Sequence, residues 1–189
     1  MIISFTGSEG SGKSGIAKRL AATLGWPYYD IGGLRRAMAT KKGLTLEEYN
    51  KLGETDPSTD LEVDNYQTKL GKEADNFIIV GRTSWHFIPH SLKIFLSTRI
   101  EVGAERIFNN MADRREAKNI TTIEDLIQVL RRRVESDIFR YKKYFSIDVF
   151  NKDNYDLLLD TSDLTEEEAY QTVEKFVKEK LESAAVSSL

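Results

Sequence analysis

The sequence predicts a three-layer α/β fold, a parallel sheet of about five strands flanked by helices, within one domain spanning residues 1–189. Three observations carry this. Short apolar runs rich in β-branched residues alternate along the chain with segments of helical spacing, and a glycine-rich turn joins the first run to the first helix. The length of 189 residues, with 40% hydrophobic and 30% charged side chains, suits one core rather than two. Parallel pairing follows because helices between successive strands serve as right-handed crossovers.

Residues 2–6 form the first buried-strand pattern, closed by Gly7, and residues 14–24 show helical spacing that stops at Gly25. Residues 27–30 read as a second, short strand, followed by a helix near residues 34–42 that Gly43 ends. Thr45-Leu46-Glu47-Glu48 and Thr59-Asp60-Leu61-Glu62 both have the form of a capping box, in which a hydroxyl accepts from a free amide and an acid three residues on reaches back. A helix is expected to start at each. The remaining strands are expected at residues 77–80, 92–96 and 155–159. Trp85, His86 and His90 are explained by packing against strand ends and carry no assigned role, and Tyr141, Tyr144 and Phe145 at helical spacing mark a buried face. A polar, arginine-bearing stretch at about 109–121 is expected to be a lid, and residues 183–189 a small polar tail.

Composition narrows the chemistry. With no cysteine there is no disulfide framework, thiolate metal site or cysteine nucleophile, and two histidines are too few for a histidine-rich metal centre. No apolar run reaches membrane-spanning length and no secretory signal is visible, so a cytoplasmic protein without a membrane partner is expected. A net charge of −3 gives no general affinity for nucleic acid, yet arginines cluster at Arg35-Arg36, Arg114-Arg115 and Arg131-Arg132-Arg133 with Arg140 nearby. Local anion sites on an acidic protein suit a phosphorylated small molecule.

Gly7-Ser8-Glu9-Gly10-Ser11-Gly12-Lys13-Ser14 satisfies the P-loop pattern, and its position between strand and helix is what gives the pattern meaning. The glycines let backbone amides turn inward around a polyphosphate, the helix start adds its positive dipole end, and the Lys13 ammonium can neutralise β- and γ-oxygens. Ser14 offers a hydroxyl to Mg²⁺, so ATP and Mg²⁺ are the expected cofactors. Glu9 would repel phosphate, so it is expected to point outward or to meet the acceptor. The fold class therefore becomes the three-layer P-loop NTPase fold.

The segments that follow resemble cytidylate kinases, particularly the archaeal type, of the P-loop nucleoside monophosphate kinase superfamily. Asp30-Ile31-Gly32-Gly33-Leu34-Arg35-Arg36 is similar to the family segment in which a glycine and an arginine hold the acceptor phosphate, matching Gly32 and Arg36. Val80-Gly81-Arg82 falls where the family has an acid-Gly-Arg triplet, matching Arg82 to an acceptor-side arginine, and residues 133–141 resemble its Arg-x-x-x-Asp-x-x-Arg stretch. Residues 46–64, with Asp56-Pro57 and Asp60 to Asp64, are similar to the family's acceptor-binding insertion, expected at about 31–75, and the resemblance implies phosphoryl transfer from ATP to a nucleoside monophosphate, CMP or dCMP first. Lys13, Arg133, Asp137 and Arg140 are its implied catalytic residues, and Gly32, Arg36, Arg82, Arg133 and Asp137 its acceptor-binding ones. The spacing of Arg133, Asp137 and Arg140 agrees: on a helix they share one face, and Asp137 could hold both guanidiniums, although a solvated ion-pair ladder has the same spacing. Arg114 and Arg115 are lid candidates beside the plain alternative of a surface loop, while Arg131 and Arg132 read as solvated.

Three positions depart from the family. Val80 stands where relatives carry an acid that helps order Mg²⁺, Gly15 where they often have a hydroxyl residue, and Gly103 where an arginine is common. These leave open a P-loop kinase for another nucleotide, nucleoside or cofactor precursor, or a nucleotide-binding regulatory protein without efficient transfer. A GTPase is disfavoured by the lack of an Asn-Lys-x-Asp signature, and a monomer is expected.

Overall fold

A computed structural model describes residues 1–110 and 120–186. β1 (Ile2–Gly7) runs into α1 (Lys13–Leu24), followed by β2 (Tyr28–Asp30), α2 (Ile31–Lys41), α3 (Leu46–Gly53), α4 (Ser58–Glu73), β3 (Phe77–Val80) and the short α5 (Ser84–Phe87). Then come β4 (Leu92–Ser97), α6 (Ile100–Asn109), α7 (Ile123–Phe145), β5 (Leu157–Asp160) and α8 (Glu166–Val186). The five strands form one sheet of order β2-β3-β1-β4-β5, and every pairing is parallel.

Helices cover both faces, which is why β1 is buried along its whole length and β3 is a continuous apolar run rather than an alternating one. On one face Ile3, Phe5, Ile78 and Leu96 pack against Ile16 and Leu20 of α1 and Val173 and Val177 of α8. On the other, Ile2, Phe77 and Ile79 meet Ile31 of α2, Val63 of α4 and Ile88. A fully buried Ile or Phe contributes on the order of 1.5–3 kcal/mol, so this layering supplies most of the drive to fold. A third cluster holds Trp85, Tyr141 and Val149 with Phe145 packed against it, although Tyr141 also reaches the cavity wall, and Tyr144 lies outside the cluster, half-buried and donating to the Gly53 carbonyl at 2.8 Å.

Two local expectations need correction. The helix after β2 begins at Ile31, three residues earlier than its spacing suggests, because Asp30 ends the strand and serves directly as N-cap. The box at Thr45 forms with both reciprocal bonds, but Thr59 does not cap: α4 begins at Ser58 behind Pro57. Thr59 and Asp60 are instead buried within its first turns, Thr59 Oγ1 donating to the Asp56 carbonyl. The pattern matched, but those polar groups face the interior, where tertiary partners satisfy them.

Candidate active site

The site is built where β1, β3 and β2 end. Gly7 has φ 144° and lies against the backbone of Leu96, so the chain leaves the sheet with no room for a side chain. The loop then turns at Gly10 and Gly12, both with positive φ, and Gly12 is the N-cap of α1. Gly10 touches the backbone of Gly103 on α6: a Cβ on Gly10 would enter the Gly103 main chain, and one on Gly103 would lie 2.4 Å from the Glu9 carbonyl oxygen. Gly103 is thus explained by close packing against the loop. Arg106, one turn on, donates to the Thr161 carbonyl at 2.8 Å, the Leu164 carbonyl at 3.2 Å and Thr161 Oγ1 at 3.2 Å, tying α6 to the loop after β5.

Lys13 Nζ arches back over the loop and donates to the Ser8 carbonyl at 2.9 Å. Burial, followed by the Arg82 charge, lowers its pKa to about 8, with Glu9 pulling the other way. Glu9 does not point outward: its carboxylate pairs with Arg82, and the side chain is only 14% exposed. Burial works to raise the Glu9 pKa, but the Arg82 and Lys13 charges override it and leave it at about 2.

Arg82 belongs to a chain of alternating charges that crosses the molecule. Its guanidinium donates to Glu9, to the Gly7 carbonyl and, through Nε at 3.0 Å, to Asp137 on α7. Asp137 also accepts from Arg140, Arg140 donates to Asp60 on α4, and Asp60 accepts from Arg35 on α2 at 2.8 Å. Arg35 Nε completes the run to Asn50 on α3 at 2.8 Å. Buried charges persist when paired and hydrogen-bonded in this way.

One cavity of about 740 Å³ connects these parts. The P-loop from Gly7 to Ser14, except Ser8, lines its donor end together with Arg106, Leu164 and Thr165, while Gly32, Arg35, Arg36, Leu46, Asn50, Arg82, Arg133 and Asp137 line the other. The sequence-derived residues Gly32, Arg36, Arg82, Arg133 and Asp137 therefore share one wall. Arg140 does not: it is fully buried behind that wall, where it positions Asp60 and Asp137. Asp137 holds Arg82 and Arg140, not the pair Arg133 and Arg140 that the helical spacing suggests. Arg132 pairs with Glu47 at the surface, as a solvated residue should. Arg114 and Arg115, with most of the expected lid, lie outside the described residues.

Sequence reading did not single out Arg35, Asn50, Arg106 and Asp30, which line the cavity, or the buried Asp60 that links Arg35 to Arg140 behind it. Asp30 ends β2, lines the cavity and pairs with Arg36 at 3.3 Å. A carboxylate closing a short strand just before a helix was the signal available for it.

Among the described residues no group of three or more His, Cys, Asp and Glu side chains is placed to hold a metal ion. The donor set still fits Mg²⁺, which takes most of its ligands from phosphate and water and needs only one or two protein oxygens. Ser14 and Asp30 offer such oxygens on the cavity wall, and the glycines beneath the Asp30 carboxylate leave it room that a Cβ would fill.

Comparison with known proteins gives a consistent picture. A family model described as "Cytidylate kinase-like family" matches residues 2–163. The cytidylate kinase of Methanocella arvoryzae is 36% identical over 162 residues, 86% of this chain and 88% of the relative. That of Methanothrix thermoacetophila is 37% identical over 161 residues, 85% and 88% of the two chains. That of Archaeoglobus fulgidus is 32% identical over 181 residues, 95% and 96%. Among solved structures, shikimate kinase from Bacteroides thetaiotaomicron superposes with a TM-score of 0.63 at 15% identity, covering 96% of this chain and 98% of its own. Shikimate kinase from Aquifex aeolicus gives 0.54 at 19%, covering 98% of both. At such identities the likeness shows the P-loop kinase fold alone. No helix among the described residues is long and apolar enough to cross a membrane.

Proposed function

Because the chain belongs to the cytidylate kinase-like family, we propose that it transfers the γ-phosphoryl group of ATP to a nucleoside monophosphate, CMP or dCMP, releasing ADP and the nucleoside diphosphate. The observation that carries this is the single cavity that opens on the P-loop at one end and on an arginine-bearing wall at the other. Phosphoryl transfer requires in-line positioning and neutralisation of charge, with little covalent work for the protein. The loop amides and Lys13 hold the donor polyphosphate, and Ser14 supplies a hydroxyl to Mg²⁺. When bound there, that ion would supply positive charge to the phosphate groups.

On the acceptor side Arg36, half exposed and held only by a 3.3 Å contact to Asp30, is free to take the acceptor phosphate with little loss. Gly32, at the start of the same helix, leaves space for that approach. Arg133 on the cavity wall supplies charge at the transferring group, and its proximity is felt at both Glu9 and Lys13. Arg82 is anchored by three acceptors, which fixes its direction, and two of its five N–H groups remain for phosphate. Asp137 orients Arg82, and Arg140 orients Asp137. Arg114 and Arg115 are the candidates for closure over the transferring group, within one kinase domain of insertion about 31–75 and lid about 109–121. Small molecules are its partners, and we assign the work to a cytoplasmic monomer with no nucleic-acid or membrane partner.

The test is ADP release from Mg-ATP with CMP, dCMP, UMP, AMP, GMP and TMP offered separately, and Lys13→Ala as control. Turnover is expected with CMP and dCMP and is lost in the control. ATP binding without turnover on any of the six would overturn the reading.

A further inference from the structure

Strand β3 ends at Val80, whose side chain has no oxygen to offer, yet it lines the cavity beside the P-loop. Its partner across the ladder is Asp30: the β2–β3 register sets Tyr28 against Ile78, Tyr29 against Ile79 and Asp30 against Val80. One strand over, at the same level of the sheet, the wall therefore carries the carboxylate that β3 lacks.

Four further observations give that carboxylate a direction. Side chains two apart on a strand share a face, and Tyr28, two before Asp30, lies beside the Ser14 hydroxyl. Asp30 is also among the charges that Lys13 feels. Its Oδ2 has the Arg36 contact at 3.3 Å, while Oδ1 accepts no hydrogen bond among the described residues. Finally, Gly32 and Gly33 are shaped around it, since a Cβ on Gly33 would lie 2.7 Å from Oδ2 and one on Gly32 3.3 Å from Oδ1.

We propose that Asp30 supplies the carboxylate that orders the Mg²⁺ of the bound nucleotide, directly or through a coordinated water, together with the Ser14 hydroxyl. This rests on the ATP-dependent kinase reading and adds to it a second protein oxygen in the metal site, drawn from β2 instead of β3. Mg²⁺ keeps several waters and takes one or two carboxylates beside phosphate, so one added acid suffices.

The experiment measures metal affinity rather than turnover. Free Mn²⁺ is read by electron paramagnetic resonance in the presence of protein saturated with a non-hydrolysable ATP analogue, for the wild-type chain and Asp30→Asn. Binding of the analogue in EDTA is measured alongside. The substitution is expected to weaken Mn²⁺ binding by roughly 10-fold or more, while metal-free nucleotide binds as well or better because a like charge has been removed. A misfolded variant would weaken both, so the opposite signs identify the role. Unchanged Mn²⁺ affinity, or equal losses with and without metal, overturns the Asp30 assignment and leaves the kinase reading standing. A wild-type chain that binds no nucleotide would overturn both.

Discussion

Arg140 is the position at which sequence and structure make different claims about one residue, and its replacement separates them. It is fully buried, donates to Asp60 and Asp137, and lies off the cavity wall. Arg140→Met keeps most of the aliphatic volume but removes the cation between two buried carboxylates. Breaking a buried pair by deleting one partner costs about 3–5 kcal/mol. Here each carboxylate keeps one guanidinium, Asp60 that of Arg35 and Asp137 that of Arg82. The lower end, about 3 kcal/mol, is therefore expected. For a chain of this size that corresponds to a melting-temperature loss of about 6–12 °C, read by circular dichroism and checked by urea denaturation. ATP affinity measured well below the transition should stay within about threefold of wild type, a change of under 0.7 kcal/mol. A variant that melts within about 2 °C of wild type, or one that keeps its stability and loses ATP binding, would refute the placement of Arg140 as a scaffold residue.

Two further predictions concern protons. With the Lys13 pKa lowered to about 8, the empty site holds about half a proton on Lys13 at pH 8, and polyphosphate, by favouring the ammonium, should draw the rest in on binding. Calorimetry of ATP binding in buffers of different ionisation enthalpy should show an uptake of about half a proton at pH 8, vanishing near pH 6.5; binding at pH 8 with no uptake would contradict the assignment. Asp64 is buried, its Oδ1 accepting from Gln67 and Thr83, and burial followed by the Asp60 charge raises its pKa from 3.8 to about 7. The native state therefore keeps a proton that the unfolded chain loses, so this group's stabilisation is complete below about pH 4 and is lost as pH rises through about 7. Asp64→Asn keeps the neutral form, and its stability relative to wild type should increase by roughly 2–3 kcal/mol between pH 5 and pH 8, measured by urea denaturation. A difference independent of pH would rule out a protonated Asp64.

What was legible in the sequence follows from how far apart the cooperating residues lie. The P-loop is a contiguous run whose conformation is set by its own glycines and by the strand and helix on either side, so it could be read directly. The central strands could be read because burial on both faces makes them mostly apolar and β-branched, as in β1 and β3. Most of the charge chain could not, because four of its links join residues 25, 55, 73 and 80 positions apart. Asp60 illustrates the difficulty: its local surroundings resemble a helix cap, and only the approach of Arg35 and Arg140 from two other helices turns it into a buried anion. Asp137 was found for its spacing, yet one of the two arginines it holds comes from the end of β3. Val80 was noticed as a missing acid, while the strand register that sets Asp30 beside it is a tertiary fact.

The run from Glu9 through Arg82 to Asp137 also gives the two substrates a means of sensing each other. One end of it is part of the loop that receives ATP, and the other belongs to the helix that walls the acceptor. A polyphosphate in the loop repels Glu9 and competes for Lys13, which loosens the hold of Glu9 on Arg82 and frees donors toward the acceptor side. Binding should then be synergistic: whatever factor ATP adds to the affinity for the monophosphate, the monophosphate must return to ATP, since coupling between two equilibria is reciprocal. An enzyme wired this way binds each ligand alone and holds each more tightly once the other is in place.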